Sequence, residues 1–568
     1  MNFEMLRTKA KEEAEHFLEF DKEYRMGNIE AELPHPKTRY LSQTYQKSVA
    51  AGVRLLLSVD EEMSQRAEKT LFSDEYARFA DAVRTTLKNG GRVIWSGCGS
   101  SGRLCMRLEH SWRSAIENLA AKYPDIDQVL KDKLQAVGCI MTGGDYTVIR
   151  AVESFEDSTL LGKEQAKEWK LTEKDLLVGV TATGETTSIL GTAMQALEDG
   201  AGVYMLICAD PIPLTERMER AKLVYNHRNC KYITLPCGPF ALTGSSRMQS
   251  STFEQLAGAV ALEGALYDIL NASGKEISFQ GYGWYGQAFS SSIKQLLSDK
   301  AIDLIAQASL NEQKIYENGG LITLFADEFL LDVLTDTTER PPTFMTPPFR
   351  SLDMKDGEES WAFVKNPRYN TEIAWVRCFA REPRCIEWSD EQYKELGLND
   401  QQIEKIPDIS KGALLRFLIG NERMPEREQG EFSHAMWVGT QKAGHDFHNC
   451  AHFYKGQSQY TLEDAGLTLQ ETFMDIYPHL CMKIMLNTLS TGVMARMGKI
   501  DGNWMTSLSM SNKKLVDRSA RIVSDVCDVE YETALEENFY SRALIEAQNV
   551  QMSPAQVTIR RLGIKNKN

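Results

Sequence analysis

No stretch of this sequence carries the roughly 20 consecutive apolar residues that a membrane-crossing helix needs, and its opening residues, MNFEMLRTKAKEEAEHF, are too charged for a signal peptide. The expectation is a cytoplasmic chain with no membrane partner. Positive charge is also scarce. The formal net charge of −15 argues against nucleic acid or an anionic surface as the main partner, while leaving room for a local basic pocket around a phosphate. A disulfide framework is missing: the 11 cysteines are odd in number and unpaired in spacing. Cys139 and Cys208 lie in apolar runs, where a reduced thiol behaves as a small hydrophobe, so a reducing compartment is expected. The one glycine-rich loop that follows an apolar strand lacks the Gly-Lys-Ser/Thr of a Walker motif.

What is present fits a globular protein of several units. At 568 residues, with 42% hydrophobic and 25% charged residues, the chain is too long for one core and allows three or four units of roughly 150 residues. Residues 1–65 are charged and helix-periodic, which suggests an N-terminal helical arm. Short apolar runs then alternate with helical lengths: RVIWSGC, AVGCIMTGG, DLLVGVTATG, VYMLICAD and KYITLPCG. That alternation predicts a parallel sheet with helices on both faces over 66–285. A second α/β unit is expected over 286–500, with strands at GLITLFAD, EIAWVRCFA, ALLRFLIG and HAMWVGT, and a helical lid over 501–568.

The loops after the first set of strands, GCGSSGR, TGGDYT, TATGETTS and GSSR, are rich in Gly, Ser and Thr. Ligands bind at the carboxyl ends of strands in such sheets. A strand running into Gly97, Gly99 and Gly102 and then a helix aims backbone N–H groups and a helix N-terminus at one point, which suits a phosphate. An ordinary tight turn has the same look. The matching place in the second unit reads FADEFLL; with Asp327 and Glu328 and no glycine, it cannot cradle a phosphate dianion.

In chain order, GCGSSGRL, GGDYTVIRAVESFEDS, GPFALTGSSRM and LNTLSTGVMARMGKIDGNWM with SNKKLVDR resemble the sugar isomerase (SIS) superfamily. Within it they are similar to the N-acetylmuramic acid 6-phosphate etherases and the glucokinase regulatory protein. The resemblance covers about 66 to 545 and matches the layout with two SIS units and a helical lid. It implies two tandem flavodoxin-like units forming an internal pseudo-dimer, with further dimerisation left open.

The etherases of this family use two glutamates to eliminate D-lactate. The resemblance places one at Glu156; the other, from the helix after the glycine loop, is replaced by Ser111, with Glu109 two residues away. The segment LTDTTERPPTF supplies Glu339 from the second unit instead. A composite site is thus implied, with Glu156 as base and Glu339 as acid. The backbone of Gly99, Ser100, Ser101 and Gly102 and the hydroxyls of Ser100, Ser101, Thr181, Thr186, Ser245 and Ser246 would bind the phosphate and sugar. Lys514 would offset phosphate charge, with Arg518 beside it. Gln249 stands where the etherases carry a lysine.

Three readings stay open: a lyase, a sugar-phosphate sensor that regulates a sugar kinase, and a phosphosugar isomerase. No cofactor is expected. HDFHNCAH brings together His445, His448, Cys450 and His452, but its spacing fits no common zinc pattern, and it reads as a polar, aromatic-rich loop. DIDQVLKDK and EREQGE read as solvated faces.

Overall fold

The structure is a computed structural model that describes residues 3–21, 24, 25, 27, 29–354, 356–510, 512–548 and 550–563, without the side chains of 153 and 154. Two all-parallel sheets organise the chain. The first has strands β1 (Val93–Gly97), β2 (Val137–Met141), β3 (Leu176–Thr181), β4 (Gly202–Ile207) and β5 (Cys230–Thr234), in the order β2-β1-β3-β4-β5. β1, β2 and β3 are buried throughout, as strands covered by helices on both faces must be. The second has β6 (Ile322–Phe325), β7 (Ala362–Lys365), β8 (His434–Gly439) and β9 (Gly456–Thr461), in the order β7-β6-β8-β9. β1 and β6 hold the same place in their sheets, each between the strand that follows it and the strand after that.

The second unit departs from the sequence expectation at three segments. EIAWVRCFA is a helix, Thr371–Phe379, capped by the Asn370 side chain; it buries Ala374, Trp375, Cys378 and Phe379, a helical rather than an alternating pattern. ALLRFLIG begins as the short helix Lys411–Leu415 and then turns. The strands in their place are AFVK, only four residues long, and the polar GQSQYT at the sheet edge. HDFHNCAH is likewise a helix, His445–Ala451, and not a loop. It turns Phe447 and Ala451 onto the outer face of the second sheet and leaves His445, His448 and His452 exposed. Among the described residues no group of His, Cys, Asp and Glu side chains is arranged to hold a metal ion. EREQGE is solvated at Glu426, Gln429, Gly430 and Glu431 but buries Arg427 and Glu428.

One apolar core runs unbroken through both units. At its centre lie helices Gln249–Ala272 and Ile476–Arg496, buried on almost every side. Helices buried all round are those at the middle of a large core. The expected boundaries after residues 65 and 285 fall inside helices Val49–Leu71 and Tyr282–Leu296, so continuous helices join the parts there. The N-terminal helix Phe3–Phe20 packs Ala10, Ala14 and Phe17 against Leu535 and Phe539 of helix Tyr531–Gln548. No helix among the described residues is long and apolar enough to cross a membrane.

Candidate functional site

The turn after β1 is shorter than a loop. Gly97 ends the strand, Cys98 caps, and helix Gly99–Lys122 starts at once, so Ser100, Ser101 and Gly102 form its first turn. The first N–H groups of a helix lack partners within it and carry its positive dipole end. The glycines have separate reasons. A Cβ on Gly102 would overlap Met141 Sδ, and one on Gly97 would lie 2.6 Å from the backbone of Ser101, so both let helix and strand close on each other. Gly99 has φ +54°, and a Cβ there would lie 4.0 Å from Glu339 Oε1. The second unit therefore reaches the first unit's glycine turn.

Arg103 makes that reach possible. It is 1% exposed, its Nη2 donates to Thr147 O at 2.8 Å, its Nε donates to Val148 O at 3.3 Å, and its Nη1 pairs with the Glu339 carboxylate. Thr338 also donates to Val148 O, at 2.8 Å. The wider seam between the units is charged and buried. Glu109 pairs with Arg381 at 3.1 Å and Arg384 at 2.9 Å, Asp145 pairs with Arg381, and Arg247 donates to Asp336 at 2.8 Å. Glu109 thus binds two arginines of the second unit, and Arg113 of its own helix at 3.2 Å.

The expected hydroxyls line this turn from several elements. Ser100 and Ser246 share a hydrogen bond of 2.8 Å, and Thr181 and Thr186 share another of 2.8 Å. Ser101 donates to Glu254 Oε2 at 3.3 Å. Glu254 is fully buried and also accepts from the Cys208 thiol at 3.6 Å; burial pushes its carboxyl up to about 8. Ser245 is buried in the turn just before Ser246.

The C-terminal helices close over the same place. Lys514, on helix Lys513–Cys527, pairs with Glu185 of the TATGETTS turn at 3.3 Å. Burial opposes its charge, but Glu185, Glu32 and Glu156 prevail and raise its pKa. Glu156, half-buried at the end of helix Glu153–Glu156, faces Lys514 and the Cys98 thiol; burial first and then Glu156 hold that thiol well above its ordinary pKa. Arg518 packs on Gly244, but its guanidinium is held by Glu32, at 2.5 and 3.1 Å, and Arg521 joins at 2.8 Å. Burial works against the Glu32 charge, yet the two arginines bring it down to about 2. Arg518 thus ties the lid to the N-terminal segment while the Nε–Cζ side of the same guanidinium lies against Gly244 of the serine turn. Gln249, in the etherase lysine's place, accepts from Ala241 N and donates to Asp60 Oδ1, both at 2.9 Å.

Sequence reasoning named the turn, both glutamates and Lys514, and missed Arg103, Glu254, Glu185 and Glu32. Arg103 was in view as the residue that ends GCGSSGR. The others reach the site only through contacts between positions far apart in the chain.

Residues 76–197 match the family model of the glucokinase regulatory protein N-terminal SIS domain. The chain is 30% identical over 214 residues to the N-acetylmuramic acid 6-phosphate etherase of Photobacterium profundum, covering 38% of this chain and 62% of the relative. It is 33% identical over 192 residues to the etherase of Aliivibrio fischeri, covering 34% and 56% respectively. The chain therefore spans only about six tenths of these relatives' length. Among solved structures it is similar to the C-terminal domain of glucosamine-fructose-6-phosphate aminotransferase from Francisella tularensis, at TM-score 0.43 and 10% identity, covering 78% of this chain and 96% of that one. Over residues 76–197 the chain is thus similar to the N-terminal SIS domain of the glucokinase regulatory protein, and over about a third of its length to N-acetylmuramic acid 6-phosphate etherases.

Proposed function

We propose that the chain binds one sugar phosphate where the helix Gly99–Lys122 begins, and that it is a carbon–oxygen lyase acting on N-acetylmuramic acid 6-phosphate or a close relative. The observation that carries this reading is the approach of Glu339 to Gly99 across the seam between the units. The first-turn N–H groups and the hydroxyls of Ser100, Ser101 and Ser246 would take the phosphate, and Lys514 would offset its charge. Glu156 would remove the proton from the carbon beside the sugar's masked carbonyl. Glu339 would give a proton to the ether oxygen at C3 as its bond to carbon breaks, leaving a carbon–carbon double bond and free lactate. Two carboxyl groups in unlike surroundings suit that pair of tasks. The proposal keeps the four-part division of the chain, with the site shared by the two α/β units and covered by the lid.

A second reading, a sugar-phosphate sensor that acts on a sugar kinase, has one observation in its favour. Glu339 already receives Arg103, which is itself clamped by two carbonyls, and a carboxylate so held is built to position rather than to exchange protons. The test is D-lactate release from N-acetylmuramic acid 6-phosphate by the full chain. Release that falls by roughly 10² or more in Glu156→Gln and in Glu339→Gln supports the lyase. Tight binding without any release, together with ligand-dependent inhibition of a sugar kinase, supports the sensor.

A further inference from the structure

The fold contains a cavity in the position that mirrors the first site. It holds about 400 Å³ and opens at the carboxyl ends of β6 and β8, between Asp327, Glu328 and Thr440 on one side and Ser111 and Ser114 of helix Gly99–Lys122 on the other. Ligands of parallel sheets sit at such edges. The mirror relation is in the numbering. Ser111 follows Gly97, the last residue of β1, by the same fourteen positions that separate Glu339 from Phe325, the last residue of β6. Each unit thus lends the same helical position to the other's strand ends. In this cavity the loaned residue is a serine and the glycine turn is replaced by two carboxylates.

Those replacements change what the cavity can hold. Glu328 accepts from Thr440 Oγ1 at 2.7 Å and Asp327 from Asn366 Nδ2 at 3.0 Å, so both carboxylates are fixed at the strand ends where a phosphate would sit. A phosphate dianion is repelled there. The wall is nevertheless built to bind. Arg107 is 3% exposed; its Nη1 reaches Asp332 at 3.4 Å and its Nη2 meets His110 Nδ1, while its Nε has no hydrogen-bond partner among the described residues. That Nε is closed off from solvent and out of a ligand's reach; Arg107 gives this wall positive charge, with Arg377 beside it. His110 bonds Arg377 O through Nε2 at 3.2 Å; burial, then Arg107, hold its pKa well below the ordinary value, so it adds no positive charge. Phe473 and Pro478 supply an apolar side.

The fitting ligand offers uncharged acceptor oxygens to Arg377 and to the Ser111 and Ser114 hydroxyls, hydroxyl donors to the carboxylates and a flat C–H face to the apolar side. The volume is at the lower end of the roughly 300–1,000 Å³ of small-molecule sites, which suits one ring. We propose that this cavity binds an unphosphorylated monosaccharide, an aldohexose or hexosamine, at a site separate from the sugar-phosphate site. The proposal does not rest on the reading of the first site.

The test is saturation-transfer NMR on the full chain with D-glucose, D-glucosamine and N-acetyl-D-glucosamine. Two kinds of variant separate the sites: Ser101→Asp blocks the first, and Ser114→Trp or Thr440→Trp, from opposite walls, fills the second. At least one of the three sugars should bind the parent and Ser101→Asp with affinities within about twofold. It should bind roughly tenfold more weakly to either tryptophan variant that keeps the parent's circular dichroism and Tm. In Ser101→Asp the matching 6-phosphate should not displace it. Absence of transfer from all three sugars, loss of the signal in Ser101→Asp, or a signal that survives both tryptophan variants would each overturn the proposal.

Discussion

Ser101 carries the strongest test at the scale of a single side chain. It sits in the first helical turn with its hydroxyl on Glu254. Ser101→Asp places a carboxylate where the phosphate is proposed to bind, and like unit charges at 4 Å repel by about 4 kcal/mol at an effective dielectric of about 20. Sugar-phosphate affinity should fall roughly a thousandfold in calorimetric titration, with the circular dichroism unchanged. Glu254 itself should show in the pH dependence of stability. Its carboxyl is raised from an ordinary 4.5 to about 8, so between those values the folded chain keeps a proton that the unfolded chain has released. Stability is therefore lost as pH rises across that window, by at most a few kcal/mol. Glu254→Gln, which cannot titrate, should have a Tm that gains on the parent's from about pH 5 to about pH 8 and shows no gain below. A constant difference at all pH values would count against the buried carboxyl. Of these residues Ser101 was legible, because glycine and hydroxyl side chains at a strand end announce a cradle. Glu254 was not: it lies in an apolar helix, 153 positions from the serine it holds.

Among the elements, the first sheet was readable and the second only in part, for a physical reason. β1 to β4 are continuous apolar runs bounded by glycine, which is what a strand covered on both faces looks like. β7 is four residues long and β9 is polar, while Trp375 and Phe379 make a helix look like a strand. What the second sheet lacks in strand length it recovers in a buried arginine. Arg427, fully buried, donates to Ser360 O and Ile322 O, both at 2.7 Å, and so staples the start of β6 to the approach of β7. Arg427→Ala would take a donor from each of two buried carbonyls and leave a hole. We expect a loss of about 3 kcal/mol, read from the urea midpoint at unchanged slope. A shift within about 0.5 kcal/mol would show that water replaces the guanidinium.

For the whole molecule, the seam of buried ion pairs makes the two units one functional body. Titration with a binding sugar phosphate should give one site per chain, because only the first unit has the glycine turn. Neither half expressed alone should bind it. If turnover exists, the Glu156→Gln, Glu339→Gln double variant should lose far less than the product of the single losses, since both groups act in one step. Multiplicative losses would separate the two carboxylates. The approach of Glu339 to the first unit's turn was legible from Ser111 and Glu339, which stand at matching positions of the two units. The clamp that fixes Glu339 was not, because Arg103, Thr147 and Val148 come together only in the folded chain.

The packing of helix Phe3–Phe20 on helix Tyr531–Gln548 brings the far ends of the fold together, with Arg542 on Glu13 at 2.8 Å and Arg7 on Glu537. Mechanically, this makes the structure a closed loop fastened at that clasp. Tension applied to the two ends would peel those helices apart first and load the Glu32–Arg518 pair next. The cover of the sugar-phosphate site would give way while both sheets still stood.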